Sequence, residues 1–542
     1  MKNQTFKRNG RLPILILLIG FVLAISTFSA VQMYGGGGET AVYIIQGQDT
    51  ATVADTVQAV GGIVTHELTI INGVGALLTR AQHEQLAAQN GFKLIANQSV
   101  QSAGWHASSP IPALVGADLL HASGIGGQGV TVAVLDTGHT PNRWIEQMYN
   151  KTPRVLAYFD AIANSEMTEA TYSDESGHGT HVTSIILASS KGTDSGTFTA
   201  VAPGANLVSV KAFDSNGAGS YLDVIRGLDW VVAHQEVYDI RVLNLSFSAP
   251  PQSYYWDDPL NQAVMRAWQA GIVVVAAAGN IGPDPMTIGV PGNVPYIITA
   301  GAMSDNYTPT NFEDDTLASF SAAGPTVEGF VKPDIVAPGG HVNGMMAATS
   351  TEIALEHPEY SLGRFYFTMS GTSQATAVTS GIVTLMLQAD PSLTPDNVKC
   401  RLMASSNPAV NEDGTLAYSI FQQGAGLTNA YEAVNNTATN CANQGLDIAK
   451  DLTGIEHYGG LAQQAPDGSY YIIGLDGYAW SDGYAWSDGY AWSDGFAWSD
   501  GYAWSDGFAW SDGYAWSDGF AWSDGYAWSD AFMAVNNWVP QE

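Results

Sequence analysis

Three short stretches carry the residue types that nucleophilic chemistry needs. Val132-Ala133-Val134-Leu135-Asp136-Thr137-Gly138 puts a carboxylate at the C-terminal end of an apolar strand, where ligands gather in open α/β sheets. Ser176-Gly177-His178-Gly179-Thr180-His181 opens a helical stretch with an imidazole able to move a proton near neutral pH. Met369-Ser370-Gly371-Thr372-Ser373-Gln374-Ala375 sets a serine among small residues at the head of an apolar helix. Substrate can approach that hydroxyl, and the helix N-terminus adds positive potential. Taken singly, each stretch also has an ordinary use as a turn aspartate, a structural histidine or an N-cap serine.

Rival chemistries fit less well. An aspartic protease needs two Asp-Thr-Gly-like loops facing each other, and Asp194-Ser195-Gly196 follows no apolar strand and lies too close in sequence for a second lobe. His178 and His181, at i and i+3, are half a metal site, but no acidic or thiol partner stands at helical spacing, and zinc needs at least three protein ligands. An α/β-hydrolase requires the order serine, acid, histidine around Gly-x-Ser-x-Gly. Here the only later histidine is His457, and Ala375 replaces the last glycine.

Such residues need a frame. From about 111 to 436, apolar strands (Val130–Leu135, Leu207–Phe213, Val242–Phe247, Ile272–Ala278, Tyr296–Ala300) alternate with helical stretches such as Val224–Val232 and Ala375–Leu387. Strands without a polar face are those of a parallel sheet covered on both sides, so the fold class is α/β, doubly wound and mostly parallel. Residues 39–100 read separately as strand–helix–strand–strand–helix–strand, a small α+β split βαβ unit. Residues 101–110 read as a linker.

Composition narrows the function. The chain has 542 residues, with 19 Lys+Arg against 51 Asp+Glu and a net charge of −32. That field repels a phosphate backbone, so nucleic acid is not an expected partner. Residues 1–30, basic and then apolar, form a signal-peptide pattern that implies secretion; the alternative is an uncleaved membrane anchor. Export makes a Cys400–Cys441 disulfide reasonable.

In the order Asp136, His178, Ser373 the chain resembles the subtilisin-like serine proteases (subtilases). Gly271–Asn280 is similar to that family's oxyanion strand, which makes Asn280 the side-chain donor, with Ala278 and Gly279 lining the site. Ser246, Phe247 and Ser248 resemble the strand along the primary specificity pocket. Gly217, Ala218 and Gly219 resemble the edge that pairs with extended substrate. The resemblance implies a secreted serine endopeptidase acting on protein or peptide substrates through an acyl-enzyme. Residues 39–100 would be its inhibitory propeptide, removed by self-cleavage between about 97 and 109. The chemistry requires no cofactor. The acidic surface suits structural calcium, although no loop is specific enough to name ligands, and a monomer is expected. Ala377 and Ser248 depart from the family's usual proline and glycine. An inactive subtilase domain serving as a binding module is the alternative.

Residues 442–475 read as a linker. The hexad Asp-Gly-Tyr/Phe-Ala-Trp-Ser then recurs nine times from Asp476 to Ser529. An extended chain puts its aromatics on one face. The repeats suit a self-packing stalk or, alternatively, a platform touching polysaccharide or a surface.

Overall fold

The computed structural model describes residues 40–89, 91–96, 109–192, 196–309, 311–347, 350–411, 413–473, 532–535 and 538–539. The expected signal segment, most of the 101–110 linker and the hexad repeats lie outside the described residues. The chain divides into two compact units, 1–104 and 105–542.

The first unit runs β1 (Thr40–Gln46), α1 (Thr50–Ala59), β2 (Ile63–Leu68), β3 (Gly73–Thr79), α2 (Arg80–Ala87) and β4 (Lys93–Ala96). Its antiparallel sheet has the order β2-β3-β1-β4. Helix starts are written locally: Asp49 caps α1 by accepting the Thr52 N–H at 2.8 Å, and Thr79 and Gln82 form a reciprocal capping box on α2. Ile45, Val53, Val57, Val74, Leu78 and Leu86 close a core of its own.

The second unit is built on a largely parallel sheet. Its strands are β5 (Thr131–Asp136), β6 (Val155–Asp160), β7 (Asn206–Lys211), β9 (Ile240–Leu245), β10 (Val273–Ala277), β11 (Ile298–Ser304) and β12 (Ile335–Pro338), while β8 (Ala218–Ser220) lies off it. In space the order is β11-β10-β9-β5-β7-β6, with β12 joining β11 in parallel and two-residue antiparallel strands at the ends. Helices α3 (His178–Leu187), α4 (Tyr221–Ala233), α5 (Pro259–Gln269), α6 (Thr372–Ala389) and α7 (Pro395–Ala404) accompany the sheet. Strand β5 is buried along its whole length. Every residue of α6 from Thr372 to Leu387 is buried as well, so this helix runs through the core and needs no polar face. Cys400 and Cys441 are joined by a disulfide, Cα–Cα 5.1 Å.

Residues 442–473 are not a linker. They carry a short helix, Ile448–Leu452, and a hairpin of Ala462–Gln464 with Tyr470–Ile472. The buried Asp451 carboxylate accepts the hydroxyls of Tyr255 and Tyr296 at 2.6 and 2.9 Å. Tertiary hydrogen bonds hold this polar stretch against the domain, and they leave no periodic trace in sequence. Among the described residues no helix is long and apolar enough to cross a membrane.

Candidate active site

Asp136 ends β5, the strand between β9 and β7, fully buried. His178 is the first residue of α3 and Ser373 the second of α6. Asp136 Oδ1 lies 2.7 Å from His178 Nδ1. A carboxylate only accepts, so Nδ1 carries the proton and Nε2 is left as the basic nitrogen. The first turns of α3 and α6 meet where Gln374 Nε2 lies 3.4 Å from His181 Nδ1.

Gly179 lets α3 approach β5 this closely, and Gly177 lets the chain turn into α3 against Met346. Gly177, the residue before the imidazole, has φ +98°, and a Cβ there would lie 2.9 Å from Met346 Sδ. A Cβ on Gly179 would come within 2.1 Å of the Gly138 carbonyl oxygen and 3.1 Å of Asp136 Oδ1.

Asp174 fastens the same corner, and sequence reasoning missed it. This buried carboxylate accepts the Gly177 and Thr180 N–H groups, each at 2.8 Å, and the Thr137 and Thr180 hydroxyls at 2.8 and 2.5 Å. The Thr137 hydroxyl in turn accepts the Gly179 N–H at 2.8 Å. Asp174 thereby ties the turn after Asp136 to the start of the His178 helix. Burial pushes its carboxyl up, against the pull of these donors. The only sequence signal was an acid four residues before the histidine at a helix start.

Ser373 is held from below. Its Oγ donates to the Ser246 carbonyl at 2.9 Å, and Ser246 Oγ donates to the Ser373 carbonyl at 2.9 Å. Asn244 Nδ2 donates to Ser246 Oγ and Ser380 Oγ to Asn244 Oδ1, both at 2.9 Å, stitching β9 to α6. Among the described residues no hydrogen bond joins the Ser373 hydroxyl to His178. The hydroxyl is engaged by the Ser246 carbonyl instead, and such bonds commonly tighten only with substrate bound.

Asn280 follows β10. Its Oδ1 accepts the Thr372 N–H at 2.9 Å and the Thr372 hydroxyl at 2.8 Å, and the Gly279 N–H donates to that hydroxyl at 3.2 Å. With Oδ1 so engaged, Nδ2 is the free donor, and it lies 3.4 Å from where a Gly371 Cβ would stand. Ala278 and Gly279 continue this strand, buried. Ser246 and Phe247 are buried at the end of β9, and the Ser248 hydroxyl faces the backbone of Gly279 and Gly289, 3.0 and 1.9 Å from their would-be Cβ positions. Gly217, Ala218 and Gly219 enter and form β8.

His181 stands apart from this chemistry. It is fully buried with Nε2 3.1 Å from the Phe367 carbonyl oxygen, and burial pushes its pKa down to about 3. It is a neutral structural imidazole. Among the described residues no group of three or more His, Cys, Asp or Glu side chains could hold a metal ion.

An acid, an imidazole and a hydroxyl set on helix starts at one end of a parallel sheet define a serine peptidase. The chain matches the subtilase family over residues 127–434. It is 41% identical over 313 residues to the serine protease AprX of Bacillus subtilis, covering 57% of this chain and 66% of that protein. It is 28% identical to subtilisin E of Bacillus subtilis over 77% of this chain and 96% of the relative. Fervidolysin from Fervidobacterium pennivorans, a solved structure, is 21% identical with a TM-score of 0.46, covering 75% of this chain and 62% of that one. The chain belongs to the subtilase family and is a serine endopeptidase of the subtilisin type.

Proposed function

We propose that the protein is a secreted endopeptidase in which Ser373 attacks the peptide carbonyl while His178 Nε2 takes its proton and returns it to the leaving amine. Asp136 holds the imidazole tautomer and stabilises the imidazolium. Asn280 Nδ2 and the Ser373 N–H meet the charge that develops on the carbonyl oxygen. Water then hydrolyses the acyl-enzyme by the same relay. The 2.7 Å Asp136–His178 contact carries this reading, because it puts the proton on Nδ1 and leaves Nε2 as the base that a serine nucleophile needs.

Extended substrate lies along Gly217–Gly219 and Ser246–Ser248 as an added strand, where small residues expose backbone groups. The Ser248 hydroxyl, pressed toward Gly279 and Gly289, narrows the pocket and favours small or medium apolar P1 side chains. A peptide-library digest is expected to show them; cleavage mainly after Phe and Tyr would refute the narrowing. The separate α+β unit at 40–96, followed by an aperiodic stretch, supports its role as a self-cleaved inhibitory propeptide. The basic-then-apolar N-terminus supports secretion, as do relatives such as the minor extracellular protease Epr of Bacillus subtilis. The enzyme acts as a monomer, and the hexads form a stalk or a platform that touches polysaccharide.

A fluorophosphonate probe tests the core claim. Wild-type protein is expected to label and Ser373→Ala not to, with kcat falling about 10⁶-fold, a figure that comes from subtilisin itself. N-terminal sequencing of both proteins should find only the wild type cut between about 97 and 109. Equal labelling of the two sinks the assignment.

A further inference from the structure

The end of the chain returns to the peptide-binding edge. Residues Phe532–Ala534 form a strand antiparallel to β8, in the register Phe532↔Ser220, Met533↔Gly219 and Ala534↔Ala218. The Val535 N–H donates to the Gly217 carbonyl at 2.8 Å and extends the ladder by one residue. These are the backbone groups assigned above to extended substrate, so the inference rests on that reading.

Side chains anchor the segment at two places. Met533 is fully buried and Val535 nearly so, both within the main core. Farther on, the Trp538 indole stacks on the His357 ring at 3.8 Å and 13°. Tyr360 lies 5.0 Å from it, and Phe367 stands edge-on at 6.2 Å. Trp538 packs against a cluster of Met346, Ile353, Phe367 and Met369. Met346 abuts Gly177, the residue before the candidate base. Met369 ends the strand that leads into Ser373. One anchor thus lies on the edge strand and the other in a slot beside the lead-ins to both His178 and Ser373.

A short strand pair with a buried methionine and a stacked indole is a peptide complex made in one chain. We propose that this face is an extended-peptide site with two selective positions, one opposite Gly219 for an unbranched apolar side chain and one between His357, Tyr360 and Phe367 for an indole. The protein's own residues 532–535 and 538–539 fill it as a tethered competitor of substrate. Tethering makes the competition intramolecular, so a segment of modest intrinsic affinity still occupies the edge.

The test compares full-length mature enzyme with Met533→Asp, Trp538→Ala and a chain ending at residue 531, using an internally quenched decapeptide substrate and intact-mass measurement. Where the tail stays whole, the three variants are expected to show a KM at least 10-fold lower with little change in kcat. A synthetic peptide of residues 531–540 should then inhibit the shortened enzyme competitively. If wild type trims itself between residues 535 and 538 and Met533→Asp does not, the docking is equally supported. An intact tail with unchanged KM in all variants overturns it, as does trimming unaffected by Met533→Asp. Should the shortened chain fail to fold, the two point variants give the same readout. Failure of the protease reading is distinguished by absent fluorophosphonate labelling of Ser373 in the variants as well as in wild type.

Discussion

The corner that holds Asp136 and His178 differs in kind from the edge at Ala218–Ser220. At the corner, side chains do the work. Asp174 alone receives four hydrogen bonds, and glycine at 179 is required because no Cβ fits under the Gly138 carbonyl. At the edge, backbone does the work, and a three-residue strand offers amides and carbonyls to whatever chain arrives, in this structure residues 532–534. A proton relay needs fixed atoms in dry surroundings, whereas a peptide site must accept many sequences and so reads mainly the main chain.

That contrast can be broken or sharpened in three ways. Asn280→Ala removes the donor proposed to meet the developing oxyanion. kcat is expected to fall about 100–1000-fold with KM little changed, a loss of roughly 3–4 kcal/mol for which subtilisin's own asparagine is the reference. Steady-state kinetics on a peptide substrate read it, and a change confined to KM would place Asn280 with the edge instead.

Asp174→Ala is next. Removing a buried acceptor of four hydrogen bonds strands its donors, and urea denaturation is expected to show a loss of about 3 kcal/mol. kcat should drop roughly 10-fold, since the imidazole loses its fixed start of helix. Asp174→Asn, which keeps an acceptor oxygen, should recover part of both. Unchanged stability would mean that the corner is no more rigid than the edge.

The smallest effect concerns pH. His181 is pushed down to about 3 by burial, while in the unfolded chain it titrates near 6.5. Between those values the unfolded state binds more protons, so stability falls as pH drops through 6.5 and this contribution is exhausted near 3. At pH 4 the deficit relative to pH 7 is on the order of 3 kcal/mol, with no effect expected at neutral pH. His181→Gln should flatten the slope of denaturation midpoint against pH, and an unaltered slope would assign acid sensitivity elsewhere.

The candidate side chains were legible because each sits in a run whose local physics is visible: a buried strand ending in an acid, a glycine-flanked histidine, a small-residue serine at a helix start. Asp174 was overlooked, since its partners Thr137, Gly177 and Thr180 converge only when β5 and α3 are packed. The stretch 442–473 was misread for a related reason. Asp451 is a polar residue in an aperiodic segment, and only the distant Tyr255 and Tyr296 show that it is structural.

Sequence by itself determined the alternation of elements and the family, and it marked the candidate residues, because hydrophobic period and residue type are properties of neighbours along the chain. Tertiary structure alone decided which hydroxyl the buried acids accept, that Ser373 rests on the Ser246 carbonyl, and that residues 532–534 lie on β8. Those depend on backbone groups, which every residue carries alike, and on contacts between positions separated by as much as the distance from Gly217 to Val535. Nothing in local composition marks one main-chain amide as the partner of another.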